Sequence, residues 1–248
     1  MAELRTYQTR AVPNVGSRAD ASIDEGLRAY MLKVYNLMAM GLVITGLVAY
    51  GAFVMAVQDG QLTAFGQLIY ASAFRWVVIL APLGMVFFLS ARVHKMSVSA
   101  AQTAFWVFAG LMGLSLSTIF LVYTGQSIVQ TFFITAASFG ALSLWGYTTR
   151  RDLTGMGTFL FMGVIGLIIA MVVNIFLASP ALQFAISGIG VLVFAGLTAY
   201  DTQKIKEMYY EGDEVLVAGR KAIMGALTLY LDFINLFTFL LSFLGNRE

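Results

Sequence analysis

Ala222-Ile-Met-Gly-Ala-Leu-Thr-Leu-Tyr-Leu-Asp-Phe-Ile-Asn-Leu-Phe-Thr-Phe-Leu-Leu-Ser-Phe-Leu244 decides the reading of this chain. The run is long enough to cross a bilayer, which takes ~20 apolar residues at ~1.5 Å each, yet Asp232 stands near its middle. A charge at the centre of a membrane helix costs roughly 3 kcal/mol on insertion scales, so such residues turn inward, find partners and mark pathways or sensors. Gly225, Thr228, Asn235 and Ser242 share one helical stripe with Asp232, and the opposite face is Leu, Ile, Phe and Met. A helix patterned this way belongs near the centre of a bundle, its stripe toward the interior or a water-filled cavity.

The rest of the chain has the composition of a membrane protein. Of its 248 residues 59% are hydrophobic and 11% charged, with a mean hydropathy of +0.82, against ~25% charged in a soluble domain. Apolar runs at 34–57, 75–91, 101–123, 127–147, 156–178 and 180–200 join 222–244 as seven spans. The expected fold is an all-α integral membrane protein, a seven-transmembrane-helix bundle with helix 7 central. Ser179-Pro180 reads as an N-cap with proline at the first helical position of helix 6. Pro82 is expected to kink helix 2. Gly163, Gly166 and Ala170 form a small-residue face for close packing on helix 5.

Residues 1–33 are polar and have neither an apolar h-region nor a small-residue cleavage site, so they read as a cytosolic tail ahead of a transmembrane domain at 34–248. With that tail inside, thirteen of the fifteen basic residues fall on the cytosolic side, leaving only Arg75 and Arg247 outside. The positive-inside rule then puts the N-terminus in the cytosol and the C-terminus outside.

Several function classes drop out. Cysteine is absent, which excludes thiolate metal sites and Cys nucleophiles. His94 is the single histidine, and no phosphate-binding Gly-Lys-Ser/Thr loop occurs. Every lysine stands at a helix boundary, which argues against a retinal protein. The expectation is a protein that is not an enzyme, carries no cofactor and has no nucleic-acid partner; its surroundings are the lipid bilayer.

Topology supplies partners for Asp232. Helix 6 runs inward to Asp201 and helix 7 starts from the same side, so the two carboxylates sit on antiparallel neighbours. Helix 2 also runs inward and ends at Arg92. Two close carboxylates in a low-dielectric site cannot both ionise freely and titrate as a coupled pair, while a guanidinium eases that conflict. Asp201, Asp232 and Arg92 therefore form a candidate proton-sensitive latch. Thr228, Asn235 and Asn174 are candidate ion-pathway residues, Asn174 also being placed for an interhelical hydrogen bond.

Leu197-Thr-Ala-Tyr-Asp-Thr-Gln-Lys-Ile-Lys206 and Ala226-Leu-Thr-Leu-Tyr-Leu-Asp-Phe-Ile-Asn-Leu-Phe237 closely resemble the signature of the Bax inhibitor-1 (transmembrane Bax inhibitor motif) family, in its bacterial branch. The resemblance implies a pH-sensitive calcium leak, channel or exchanger, in the bacterial cytoplasmic (inner) membrane. It also implies proton sensing by an aspartate pair, at Asp201 and Asp232 here, with an arginine partner at Arg92. Calcium and protons are then the transported and sensed ions. Metal binding at Asp201 and Asp232 is expected to be weak and transient, because calcium takes six to eight oxygen ligands and a leak must release its ion. Some relatives carry a glutamate deep in helix 2, which is missing between Arg75 and Arg92. The alternative expectation is a membrane-embedded regulator that binds a partner such as a membrane-anchored AAA protease. No death-pathway role carries over.

Overall fold

A computed structural model describes residues 15–247. The expected tail lies outside the described residues for 1–14, and within them it gives way to helix. Helix α1 runs unbroken over Val15–Ala56. No proline interrupts that stretch, and Leu27, Tyr30, Met31 and Val34 recur at i, i+3, i+4 and i+7. Tyr30, Met31 and Val34 are buried in the main core, so α1 packs into the bundle from before residue 34.

A two-residue hairpin follows, β1 Val57–Gln58 with β2 Gln61–Leu62. Its turn is Asp59-Gly60, with φ of 50° and 74°; positive φ at both positions is what tight hairpins require and what Asp-Gly supplies. The remaining long helices are α2 Arg75–Arg92, α3 Val98–Leu116, α4 Gly125–Thr148, α5 Thr154–Leu177, α6 Pro180–Glu207 and α7 Val215–Leu244. All seven helices are long and apolar enough to cross a membrane. Helix α2 runs through Pro82, which is buried. Hydroxyl caps at Ser97, Thr124 and Ser179 start α3, α4 and α6.

Helix α7 is the hub: it packs on α6, α1, α4 and α3, whereas α5 rests mainly on α6 and α2 mainly on α3. In its most apolar window 61% of residues are buried, against 11–33% for the other six helices. That burial follows from sequence, since α7 combines large apolar residues with a polar stripe, carrying Asp232, that lipid would not accept. Phe105 and Phe108 of α3 meet Tyr230 of α7 edge to face, at centroid distances of 5.9 and 5.2 Å.

Small residues set the helix spacing where backbones touch. A Cβ at Gly146 would overlap the Ala199 carbonyl of α6, and one at Gly113 would press on the Thr45 carbonyl of α1. The expected small-residue face of α5 is only partly used. Gly163 abuts Val193, but Gly166 points into open space, and Leu160 and Leu167 carry the packing on α6 with Ala170 beside them.

Candidate functional site

Antiparallel packing of α6 on α7 brings Asp201 and Asp232 together. Gly225 leaves room for Ile205 at the contact, and one turn further along α6 and two along α7 the carboxyl groups of Asp201 and Asp232 interact. Asp232 is 5% exposed and Asp201 is half-buried. The Oδ2 atom of Asp232 is fully enclosed and has no hydrogen-bond partner. Buried polar atoms are nearly always paired, and an unpaired one marks a strained or functional group. Lys204, one turn along α6, adds its field to Asp201.

The other expected site residues are placed differently. Arg92 is exposed at the end of α2 and forms no ion pair with either aspartate; Lys221–Asp213, at 2.5 Å, is the ion pair among the described residues. The neighbouring Val93 and His94 do reach the α6–α7 junction, where they line a small pocket with Met208, Arg220 and Met224. Arg92 thus ends the right helix, but its guanidinium lies outside the site. Thr228 Oγ1 donates to the Met224 carbonyl at 3.1 Å, and Asn235 Nδ2 donates to the Leu231 carbonyl at 2.8 Å. Both side chains therefore satisfy their own helix, a common outcome for polar residues inside membrane helices.

Asn174 belongs to the opposite end of the bundle. Its Nδ2 donates to Gln183 of α6 at 3.2 Å and its Oδ1 accepts from the Ser179 backbone at 3.0 Å. The interhelical bond expected there exists. About 27 Å of helix rise separates Gln183 from Asp201, taking ~1.5 Å per residue, so Asn174 serves a separate outer polar cluster. Ser242 joins that cluster, accepting from Ser187 Oγ at 2.9 Å. Among the described residues no group of three or more acidic, histidine or cysteine side chains comes together. Two carboxylates alone give a cation a partial shell that water or backbone oxygens must complete.

Three polar links around the pair were not anticipated from the sequence. Ser143 of α4 lies 2.6 Å from Tyr35 Oη of α1 and 2.8 Å from Thr202 Oγ1 of α6, tying three helices beside Asp201. Gln203 accepts from the Leu153 backbone at 2.9 Å and donates to the Arg151 carbonyl at 2.8 Å, pinning the α4–α5 turn. Thr45 and Tyr230 meet at 2.6 Å in the core. Thr202 and Gln203 follow Asp201 directly, and that run of polar residues at the end of an apolar helix was the available signal.

Chemically, a buried carboxyl pair is a proton-sharing unit. With one proton between them the two groups can approach, and without it two like charges face each other in a poorly screened site.

Comparison with known proteins places this architecture. The family described as "Inhibitor of apoptosis-promoting Bax1" matches residues 27–248. A Rickettsia prowazekii protein is 51% identical over 92% of this chain and 93% of its own length. A Caulobacter vibrioides protein is 50% identical over 100% of both chains. The Escherichia coli inner membrane protein YbhL is 47% identical over 90% of this chain and 94% of its own. With its seven membrane-length helices and an inner-membrane relative in YbhL, the chain is a multi-pass inner membrane protein belonging to the Bax inhibitor-1 family.

Proposed function

We propose that the protein is a pH-sensitive cation leak of the inner membrane, with calcium as the transported ion, gated by the proton state of Asp201 and Asp232. It acts as a transporter rather than as an enzyme. The observation that carries this reading is the enclosed, unpartnered Asp232 Oδ2 beside the Asp201 carboxyl, at the junction of the two helices that bear the family signature. Apolar packing at that position is cheaper than a buried carboxyl, so its presence at the hub of the bundle fits a switch. Proton loss sets the two carboxylates against each other and favours separation of α6 from α7. The separated pair also offers oxygen ligands to a passing cation. Eleven of the thirteen basic residues within 15–247 stand toward one end and orient that end to the cytosol, so the pair reads cytosolic pH.

Reconstitution in calcium-loaded vesicles tests the proposal. Wild-type flux should depend on pH, and an Asp201→Asn/Asp232→Asn variant should show flux that does not. Identical pH-dependent flux in both proteins would overturn the mechanism.

A further inference from the structure

Helices α1 and α4 both pack on α7 yet scarcely touch each other. Between them lies a groove of about 630 Å³. Its deep end is hydrocarbon: Met38, Ala39, Phe139 and Gly140. Ala39 and Gly140 keep the two walls apart, and a Cβ at Gly140 would meet nothing within 4 Å. Halfway down, Tyr35 and Ser143 close the floor with their 2.6 Å contact. At the basic end the mouth holds Arg28, exposed on α1 two turns before Tyr35.

Positive charge gathers at that mouth. Arg28 forms no ion pair with a described carboxylate. Lys206 reaches over the neighbouring Tyr147, its Nζ 2.8 Å from the Tyr147 carbonyl and 5.2 Å from the ring centroid, and it too has no described carboxylate partner. The groove is therefore apolar along most of its length, with a cation at its mouth and one hydroxyl contact midway, over ~17 Å of α1 at ~1.5 Å per residue from Arg28 to Ala39. That is about half of a ~30 Å hydrocarbon core. A partner's transmembrane helix would need a face along the whole core, whereas an occupant confined to one leaflet needs half. The floor hydroxyls are engaged with each other and with Thr202, which leaves no polar group to receive a partner side chain.

We infer that this groove binds one anionic phospholipid of the leaflet at the basic end, with its phosphate on Arg28 and an acyl chain between α1 and α4. Basic pockets between membrane helices on the cytosolic side are suited to anionic headgroups, at ~1 kcal/mol per cationic side chain, and each buried methylene adds ~0.8 kcal/mol.

The test is native mass spectrometry of the full chain released from bilayers of equal phosphatidylglycerol and phosphatidylcholine. Wild type should retain one phosphatidylglycerol per chain in preference to phosphatidylcholine. Arg28→Gln, at an exposed position, should lower that preference about fivefold, the equivalent of one phosphate contact. Gly140→Leu fills the deep end from a position with open space, and should remove the bound lipid while the helical circular dichroism stays unchanged. Equal retention of the two lipids by wild type overturns the proposal, as does undiminished retention in Arg28→Gln. Replacement of the lipid by a co-purifying protein that Gly140→Leu displaces would also overturn it.

Discussion

Tyr230 of α7 and Thr45 of α1 join the hub helix to its largest neighbouring span by a hydroxyl contact of 2.6 Å, in a place where neither side chain reaches solvent. Thr45 Oγ1 also donates to the Ala109 carbonyl of α3 at 2.9 Å. A threonine hydroxyl has one proton, so Tyr230 is the donor and Thr45 the acceptor between them. One oxygen thereby ties three helices.

That direction of donation makes the two partners unequal. Tyr230→Phe removes a donor and leaves Thr45 bonded to Ala109, so it should cost about 1 kcal/mol. Thr45→Val leaves the Tyr230 hydroxyl enclosed and unpaired, while the Ala109 carbonyl keeps its own helical bond, and should cost roughly 2 kcal/mol. Thermal unfolding in detergent micelles ranks the two; a larger loss for Tyr230→Phe contradicts the assigned donor.

Asp232 should trade stability for response. Asp232→Leu replaces an enclosed carboxyl, one oxygen of which is unpartnered, by an apolar group of similar size, and the melting temperature should rise by a few degrees. The same variant should lose the pH dependence of flux. A melting temperature below that of wild type would mean that the pair is a net structural tie.

Two glycines of α4 should behave oppositely. Gly146→Ala drives a methyl into the Ala199 carbonyl of α6 and should destabilise by about 1–3 kcal/mol, the usual range for overpacking. Gly140→Ala meets open space and should stabilise by roughly 0.5–1 kcal/mol through helix propensity. Measuring both in one host separates close approach from intrinsic helix preference.

Ala178 closes α5 with φ of 46°, a left-handed conformation that a Cβ disfavours. Ala178→Gly should relieve that strain and raise stability by about 0.5–1 kcal/mol. No change in unfolding temperature would show that the turn can relax without a glycine.

Gln203 holds the α4–α5 turn through both ends of its amide. Gln203→Leu strands the Leu153 N–H and the Arg151 carbonyl, and should cost about 2 kcal/mol. Faster hydrogen exchange confined to residues 149–154 is the accompanying signature.

Most of the architecture was readable in the chain. Seven apolar runs, the Ser179-Pro180 helix start and the polar stripe on 222–244 are local properties, fixed by hydropathy, capping and helical period. The same stripe dictated that α7 be buried. Pairing of Asp201 with Asp232 was also legible, because a short loop makes α6 and α7 antiparallel neighbours. The polar residues between Arg18 and Glu25 hide in the sequence that α1 is one continuous helix from Val15, with Leu27, Tyr30, Met31 and Val34 on its packed face.

What the tertiary structure alone decided is which atoms meet. Arg92 ends the expected helix, but its side chain turns outward, since direction around a helix is set by packing against α3 and not by position along the chain. Thr228 and Asn235 share the stripe of Asp232 but spend their donors on their own backbone, a choice of rotamer that spacing does not encode. The Tyr35–Ser143–Thr202 and Thr45–Tyr230 links join residues 59–185 positions apart. So does the groove between α1 and α4, which exists because two helices pack on a third without packing on each other. Sequence determines what each helix must hide from lipid; the bundle determines what it is hidden against.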